Sequence, residues 1–479
     1  MRRRSHRFAR RFAASIVVSF AVTACSAPPT AFDAGADAPR SDVADTMLDT
    51  IDASIDHHDA SSEDSVADVA VDSGAPRVTL PAEITAEIVY TSSVGATTPP
   101  TWNAHLPKLV GDEQNFYAVF THFPDATVDR YAVVARRPRA GGAWQQASRL
   151  AYVHQPPGIV MTRAGALHMV FDCLRPAASD VQCFTGGAGT GGLQSRFYRL
   201  VFSARSADGA LRWDTYGNYG EWSAESNGYL GIAVAPDDSV QWSLANSAWA
   251  RVVFRATNAA GSAIATLSEP GRYLLYPQSA WDAERALLFA GEFEPSGGSN
   301  AGYPATSLYA LGTSATPSRV LRVTPEVSVD AGMVGAYPSD LEVASDRTVY
   351  ALAYQRRAGG CSTLFRSDGG DRFTPLPVGC LDTYARLQLV DDRTLVLLSS
   401  AGGTSLRVGA SEDRGDSWRW TTIPIRGTLA ADQTLYGYTL IDPRNSPAIY
   451  QPDRVRMVFS GSDAAGLSRT LYFAEWPLR

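Results

Sequence analysis

A recurring two-strand pattern is the feature that most constrains the fold of this chain. Each copy has a short apolar run, a polar turn and a second apolar run. Six copies read KLVGDEQNFYAVF (108–120), GIVMTRAGALHMVF (158–171), GIAVAPDDSVQWSLA (231–245), QSAWDAERALLFAG (278–291), SDLEVASDRTVYALAY (339–354) and RLQLVDDRTLVLLSS (386–400). A third strand follows most copies, for example FYRLVFSA (197–204). Repeats about fifty residues long with about four strands each are typical of propeller blades. The sequence therefore predicts an all-β protein with a β-propeller fold.

The number of blades depends on the C-terminal end of the pattern. A looser seventh copy covers residues 439–459, and after TLYFAEW (470–476) it is one strand short. The run EITAEIVYTSS (83–93) precedes the first copy and supplies the missing outer strand, which would leave no open edge in the ring. We therefore predict seven four-stranded blades closed by an N-terminal strand, with six blades as the alternative if the last copy is incomplete.

A second pattern lies after the third strand of three copies. The residues at 411–418 read SEDRGDSW, and SADGALRW (206–213) and RSDGGDRF (366–373) occupy the same place. A short aspartate accepts backbone N–H bonds inside a turn, glycine permits a positive φ, and the aromatic ring packs beneath. We predict a structural role for Ser206, Asp208, Trp213, Asp368, Gly370, Phe373, Ser411, Asp413, Gly415 and Trp418.

These turns resemble the Asp-box, S/T-x-D-x-G-x-x-W/F, of bacterial-neuraminidase-type (BNR) repeats in the sialidase-like superfamily. The sixth copy matches fully, the second has Ala210 in place of glycine, and the fifth has Arg366 in place of serine. The resemblance implies a propeller and, as an alternative function, exo-sialidase-like glycoside hydrolysis. That family binds the substrate carboxylate with three arginines, the first in an Arg-Ile-Pro motif. The corresponding region here reads NAHLPKLV (103–110) and has no arginine, so no catalytic residue is carried over.

The N-terminal end has the features of an export signal. Six arginines within the first eleven residues precede an apolar run that ends in Val22-Thr23-Ala24-Cys25. The run is too short to span a bilayer and is typical of a secretory signal. Its end resembles the bacterial lipobox, in which the cysteine is acylated. We predict a lipoprotein signal peptide (1–25), lipidation of Cys25, and anchoring to the bacterial cell envelope at the outer membrane.

An acidic segment separates this signal from the repeats. Residues 26–75 contain eleven Asp, one Glu and one Arg, with Phe32 as the single aromatic residue. Such a segment has too little apolar surface to fold, so we predict a disordered stalk (26–79) before the propeller (80–479). Once the +6 of the signal and the −11 of this segment are removed from the overall −7, residues 76–479 carry only −2. A near-neutral body argues against a nucleic-acid partner.

The remaining cysteines form two local pairs. With Cys25 lipidated, we predict the disulfides Cys173–Cys183 and Cys361–Cys380 in an oxidising compartment, with four free buried thiols as the alternative. No spacing typical of a metal site is present, and we predict neither a metal nor a cofactor.

Irregular and aromatic residues concentrate in the connections that lie on one side of the blades. Long insertions occur at 173–195 and 292–305, and we predict binding residues at Trp102, Trp222, Tyr229, Tyr276, Tyr337 and Tyr384. Aromatic faces suit sugar rings, although each tyrosine could instead pack between blades. We predict a monomeric cell-surface recognition module for a glycan or a surface protein.

Overall fold

The computed structural model describes most of the repeat region. The described residues are 78–96, 105–122, 131–151, 157–176, 197–210, 212–222, 230–245, 251–256, 262–267, 273–282, 285–294, 302–311, 317–324, 336–355, 361–369, 372–427, 429, 434–463, 465 and 467–479. The chain divides into two units, Met1–Ser73 and Gly74–Arg479, and every described residue belongs to the second.

The second unit contains the predicted four-stranded antiparallel sheets. Blade 1 has β2 (Leu109–Gly111), β3 (Asn115–His122), β4 (Tyr131–Pro138) and β5 (Gln145–Ala151). Blade 2 has β6 (Gly158–Met161), β7 (Leu167–Pro176), β8 (Phe197–Ser206) and β9 (Asp214–Trp222). Blade 3 has β10 (Gly231–Val234), β11 (Val240–Ala245), β12 (Arg251–Ala256) and β13 (Ser262–Leu267). Blade 4 has β14 (Tyr273–Trp281), β15 (Ala286–Glu294), β16 (Gly302–Leu311) and β17 (Pro317–Arg322).

The last three blades complete the ring, so the prediction of seven is confirmed. Blade 5 has β18 (Ala336–Val343), β19 (Val349–Gln355), β20 (Cys361–Ser367) and β21 (Phe373–Pro375). Blade 6 has β22 (Arg386–Leu389), β23 (Leu395–Gly402), β24 (Ser405–Ser411) and β25 (Arg419–Gly427). Blade 7 has β26 (Thr434–Leu440), β27 (Arg454–Ser462), β28 (Ser468–Pro477) and, as its outer strand, β1 (Ile84–Ala96).

The N-terminal strand β1 closes the ring and also joins two blades. It pairs antiparallel with β28 and parallel with β25, so blades 6 and 7 form one eight-stranded sheet. At the junction Gly427 has a φ of +112°, and a Cβ there would lie 2.1 Å from the Ala86 carbonyl oxygen. Glu87 of β1 then pairs with Arg137 and accepts a 3.0 Å hydrogen bond from Trp144 Nε1, both in blade 1.

The blades pack through apolar side chains that alternate along their strands. In one core, Val119 and Val134 of blade 1 pack with Ile159 and Met169 of blade 2, all fully buried. Burial of such side chains is the main favourable contribution to folding. The period-two pattern of the sequence copies therefore places one core between neighbouring blades.

Two of the predicted structural turns share one hydrogen-bond pattern. Ser411 Oγ donates to Asp413 Oδ1 (2.8 Å) and accepts from Gly415 N (2.8 Å). Ser206 Oγ makes the equivalent bonds with Asp208 Oδ1 (2.9 Å) and Ala210 N (3.0 Å). Gly415 and Ala210 have φ values of +93° and +68°, so the alanine adopts the conformation that the motif assigns to glycine. The assignment of these turns to the Asp-box family stays a prediction. In the fifth copy, Asp368 and Phe373 are described and Gly370 is not.

One of the two predicted disulfides lies within the described residues. Cys361, the first residue of β20, is bonded to Cys380, which follows the three-residue outer strand β21. The bond holds residues 376–381 along β20, where Leu376 N donates to Leu364 O and Ser362 N donates to Leu381 O, each at 2.8 Å. This segment continues the short outer strand. The side chain of Cys173 and all of Cys183 lie outside the described residues, and their pairing stays a prediction.

Candidate functional site

The alternating strand directions give the propeller two different sides. Connections between strands one and two and between strands three and four lie on one side, which we name the turn face. Connections between strands two and three and between blades lie on the other, which we name the loop face. Each inner strand starts at the loop face and ends at the turn face.

The connection between β26 and β27 closes the axis at the turn face. Residues 441–453, which we name the plug, are much longer than the other connections of this type that the structure describes. Met161 N, at the end of β6, donates to Asn445 O (2.8 Å), and Val234 N, at the end of β10, donates to Arg444 O (2.6 Å). In blade 1, Gly111 N donates to Ser446 Oγ at 2.9 Å.

The plug also brings a charged side chain into the axis. Arg444 Nη2 lies 3.1 Å from Asp340 Oδ1, 3.2 Å from Glu342 Oε1 and 2.8 Å from Asp442 Oδ2, and all four side chains are largely buried. Arg444 Nη1 donates to the Leu341 carbonyl oxygen. One guanidinium therefore faces three carboxyl groups.

The excess of carboxyl groups over guanidinium groups shifts the pKa values of Glu342 and Arg444. Burial, followed by the nearby carboxylates of Asp442 and Asp340, raises the pKa of Glu342 to about 8 against the opposing effect of Arg444. Burial disfavours the charged form of Arg444, but the three carboxyl groups outweigh it and raise its pKa well above the ordinary value. Arg444 is therefore permanently charged, and Glu342 is largely protonated at neutral pH.

Three buried cations lie toward the loop face and donate to backbone carbonyls of neighbouring blades. Lys108 Nζ donates to Pro157 O at 2.8 Å, and Arg251 Nε donates to Leu274 O at 3.1 Å. Arg386 Nε donates to Tyr438 O at 2.8 Å, and its Nη1 donates to Ser339 O and Ala385 O. Burial lowers the pKa of Lys108 well below its ordinary value and that of Arg251 to about 9.

His105 lies among these cations and contacts a predicted binding residue. Burial, followed by the positive charges of Lys108 and Arg386, lowers the pKa of His105 well below 6.5, so the imidazole is neutral. Its ring meets that of Tyr276 edge to face, with centroids 5.2 Å apart. Tyr276 has a φ of +54°, a conformation that is uncommon for a bulky residue and often marks functional sites.

A polar cavity runs along the axis between the plug and these residues. Its volume is about 40 Å³. We name it the axial cavity. It is lined by His105, Pro107, Ile232, Ala233, Pro277, Gln278, Ser279, Ser339, Asp340, Arg386, Leu387, Thr439, Leu440, Asp442, Arg444 and Asn445. A single water molecule needs about 10–15 Å³ of cavity volume. The axial cavity therefore has room for a group of about three heavy atoms.

The structure describes only some of the six predicted binding residues. Trp102 and Tyr229 lie outside it, as do the side chains of Trp222 and Tyr337. Trp222 is the last residue of β9, not a loop residue as predicted.

Two of these aromatic side chains are described. Tyr276 lies beside His105, and Tyr384 is partly buried against the core of blades 6 and 7. Only Tyr276 is therefore placed beside the axial cavity, while Tyr384 packs as an interblade residue.

A sialidase would need arginines and carboxyl groups near the inner strands, and those that the structure describes there take part in bonds within the protein. Arg163 lies on the turn face, where its Nη1 donates to Pro236 O at 3.1 Å. Arg386 is buried and bonded to carbonyls, and Asp340 and Glu342 are engaged by Arg444. Arg272 lies outside the described residues.

The described residues show neither a group of metal ligands nor a membrane-spanning helix. Within these ranges, no three His, Cys, Asp or Glu side chains are grouped as metal ligands would be. In the same part of the chain, no helix is long and apolar enough to cross a membrane. The expectation that no metal or cofactor binds stays a prediction.

Most residues that line the axial cavity were not predicted from the sequence. A polar residue stands at or next to the first position of the repeated sequence pattern in five copies, namely Lys108, Ser279, Asp340, Arg386 and Thr439. Polar residues repeated at one position of otherwise apolar strands were a usable signal for a polar axis. The seventh copy has a longer connection between its first two strands than the other copies. This length was a second indication of an unusual axis, because the extra residues form the plug.

Comparison with solved structures finds enzymes that act on glycans. A PL25 polysaccharide lyase, an ulvan lyase bound to -[GlcA(1-4)Rha3S]-, matches with a TM-score of 0.51 and 11% identity over 82% of this chain and 95% of that chain. The GH93 α-L-arabinofuranosidase of Fusarium graminearum in complex with arabinobiose has a TM-score of 0.43 and 10% identity over 81% of this chain and 97% of that chain. A Dyadobacter fermentans protein of unknown function has a TM-score of 0.46 and 10% identity over 84% of this chain and 100% of that chain.

The match to the ulvan lyase relates the fold of the chain to that of a carbohydrate-active enzyme. At 11% identity, the likeness to the ulvan lyase shows the fold alone. No protein-family model matches the chain, and no curated protein matches it.

Proposed function

We propose that this protein is a glycan-recognition module that binds its ligand at the loop face, over the axial cavity. The observation that carries the proposal is the pairing of His105 and Tyr276 beside a polar cavity that the plug closes at the turn face. Aromatic side chains next to convergent polar groups are the common composition of a sugar site. Loops on a rigid scaffold are also where binding residues concentrate.

The solved structures support a glycan over a protein as the ligand. The ulvan lyase, whose fold this chain shares, was solved with an oligosaccharide. We therefore place a surface protein second, as an outcome that the binding experiment can reveal. The turn face is a weaker candidate, because the two Ser-x-Asp turns there use their polar groups internally. We assign those turns to the Asp-box class as structural devices.

A glycan array with the full chain in detergent micelles tests the proposal. We expect binding that falls at least tenfold in Tyr276→Ala, Trp102→Ala and Trp222→Ala, because the proposal assigns a sugar-stacking role to each of these aromatic residues. Asp413→Ala is the matched control on the turn face, and it should keep full affinity while losing some stability. Absence of glycan binding, or equal loss in Asp413→Ala, would contradict the proposal.

The competing function is exo-sialidase-like hydrolysis, which predicts turnover of a sialoside. We propose binding without hydrolysis, because the arginines and carboxyl groups that the structure describes are engaged in internal bonds. Release of sialic acid from a sialoside by the full chain, abolished in an Arg386→Lys variant, would establish the enzyme instead.

We also propose that residues 1–25 are a lipoprotein signal, that Cys25 is acylated, and that the stalk 26–79 tethers the propeller 80–479 to the outer membrane. Ser26 after the cysteine suits outer-membrane sorting, and several acyl chains on one residue hold a protein firmly to a bilayer. Cys25→Ser should move the protein from the membrane fraction to the soluble envelope fraction. Unchanged fractionation would contradict the anchor, without bearing on glycan binding.

A further inference from the structure

Three of the seven inner strands carry a β-bulge beside the axial cavity. Each bulge adds one residue to the inner strand, and the three lie between Leu275 and Gln278 of β14, Pro338 and Asp340 of β18, and Tyr436 and Thr439 of β26. The described pairs of β2, β6, β10 and β22 keep a regular register. Gln278, Asp340 and Thr439, which follow the bulges, all line the cavity. Bulges re-aim side chains and are common beside functional sites, so these three strands are shaped to present polar groups to the cavity.

Arg386 of blade 6 holds two of these bulges in place. Its Nη1 donates to the carbonyl oxygen of Ser339, the extra residue of β18, and its Nε donates to that of Tyr438, within the bulge of β26, at 2.8 Å. Burial lowers the pKa of Arg386, and the carboxylates of Asp340 and Asp382 partly offset this effect. The guanidinium therefore has carboxylates nearby that balance its charge, and it uses two of its nitrogens on the main chain.

The other charged groups on the cavity wall are also balanced. Arg444 lies 3.1 Å from Asp340 and 2.8 Å from Asp442, and the lowered pKa of His105 keeps its imidazole neutral. Burial of a charged group without an opposite charge is costly, whereas a neutral polar group needs only hydrogen bonds. The cavity therefore favours a neutral polar group over a carboxylate, a sulfate ester or an ammonium group.

Two polar groups on the cavity wall have no hydrogen-bond partner among the described residues. They are Gln278 Nε2 and Thr439 Oγ1, whose residues are only 7% and 4% exposed. Buried polar groups are normally bonded, which indicates that the cavity takes a group able to bond with both. An amide N–H only donates, whereas a threonine hydroxyl donates or accepts. One hydroxyl of a ligand can therefore accept from Gln278 and donate to Thr439.

The size of the cavity indicates which part of a glycan enters it. A volume of about 40 Å³ takes about three heavy atoms, so a hydroxymethyl group fits and a sugar ring does not. Tyr276 lies within the β14 bulge, two residues before Gln278, and its side chain is only partly buried. The same bulge thus offers an aromatic ring for the sugar and an amide for its exocyclic group.

We propose that the axial cavity binds the hydroxymethyl group of a neutral hexose, with Gln278 donating to the hydroxyl oxygen and Thr439 accepting a hydrogen bond from it. This inference rests on the proposed glycan recognition and names the class of sugar. The ring of the hexose lies outside the cavity, against Tyr276. A site built to bind a hydroxyl rejects an analogue that lacks it, because the buried polar groups of the site are then left unpaired.

The binding experiment uses sugars that differ only at carbon six. D-glucose, D-galactose and D-mannose are each compared with their 6-deoxy form and their uronate, by ligand-observed NMR with the full chain in detergent micelles. We expect the hexose with the highest affinity to bind at least about tenfold more tightly than its own 6-deoxy form and its own uronate. Equal affinity for that hexose and its 6-deoxy form would overturn the subsite, and a cavity that holds only water gives this result. Tighter binding of the uronate would overturn it as well.

A matched pair of variants separates a binding role from a structural role. Thr439→Val keeps the shape of the side chain and removes a hydroxyl that has no described partner, so stability should not fall. Thr394→Val removes a hydroxyl that is also buried and unpartnered among the described residues but lies outside the axial cavity. We expect Thr439→Val to lower the affinity for the hexose at least about tenfold and to leave that for its 6-deoxy form unchanged. Thr394→Val should change neither affinity.

Gln278→Leu should act as Thr439→Val does, because it removes the other bond to the same hydroxyl. Loss of affinity for the hexose and its 6-deoxy form alike would show a structural effect and overturn the assignment of these residues. Full affinity for the hexose in both variants would overturn it too.

The glycan array distinguishes this inference from the function on which it rests. An array positive only for glycans without a free hydroxymethyl group would overturn the subsite and leave glycan recognition in place. A positive array with no binding of any of the free sugars would have the same meaning. An array negative for all glycans would overturn both.

Discussion

Replacing Arg444 by methionine is expected to lower the free energy of unfolding by about 3–5 kcal/mol. The guanidinium is the shared partner of Asp340, Glu342 and Asp442, and its removal leaves buried carboxyl groups without a counter-charge. The plug would also lose the bond to the Leu341 carbonyl oxygen. Urea unfolding of the parent and the Arg444→Met variant at pH 7 measures the loss.

An exposed arginine provides the matched control. Arg426 pairs with Glu83 at 3.7 Å, and both side chains are more than half exposed. Exposed pairs contribute about 0–1 kcal/mol, so Arg426→Met should change stability little. A loss in Arg444→Met no larger than that in Arg426→Met would contradict the account of the plug.

The second large effect is a dependence of stability on pH that comes from Glu342. Its pKa is about 8 in the folded protein, against an ordinary value of 4.5. Between these values the folded state binds the proton and the unfolded state does not, so stability falls as pH rises. The contribution is fully present below pH 4.5 and is lost above pH 8. At 1.36 kcal/mol per pH unit, it reaches at most about 5 kcal/mol.

Comparison of the parent with Glu342→Gln isolates this effect from other titrations. Buried bases with lowered pKa values, such as His105 and Lys108, act with the opposite sign in both proteins and cancel in the difference. The variant should gain stability relative to the parent as pH rises from 5 to 9, as measured by urea unfolding at pH 5, 7 and 9. A difference that stays constant across this range would show that Glu342 does not titrate there.

The two sides of the propeller differ because of the plug. Its backbone bonds to the ends of β6 and β10 and its Arg444 contacts close one end of the axis. Arg386, the first residue of β22, and His105, which precedes β2, lie toward the other end. A ligand would therefore approach from the loop face, where the longest insertions of the sequence also lie.

Most of the fold could be predicted from the sequence because each blade repeats the same local physics. Successive apolar residues of β23 point to opposite faces, so that Leu395 and Leu397 pack in one core and Val396 and Leu398 in the next. Ser411 with Asp413 closes its turn by bonds within eight residues. The closing strand β1 could be predicted because the last copy lacked a strand. Local patterns and the count of strands were sufficient for these features.

The axis could not be predicted in the same way, because its contacts join distant parts of the chain. Arg444 and Asp340 are 104 residues apart, and nothing in either local pattern indicates that they meet. The equivalent positions of the tyrosines were also misleading. Tyr276 has a positive φ and lies beside His105, whereas Tyr384 is partly buried against a core. Packing between blades determines whether such a tyrosine is buried or exposed, and this packing cannot be read from one sequence.

The central claim is that a glycan binds at the loop face over the axis. Hydrogen–deuterium exchange of the full chain, with and without a glycan identified on the array, tests it most directly. We expect slower exchange around His105, Tyr276 and Thr439, and unchanged exchange in the turn from Ser411 to Trp418. Protection confined to that turn, with no change at the inner strands, would contradict it.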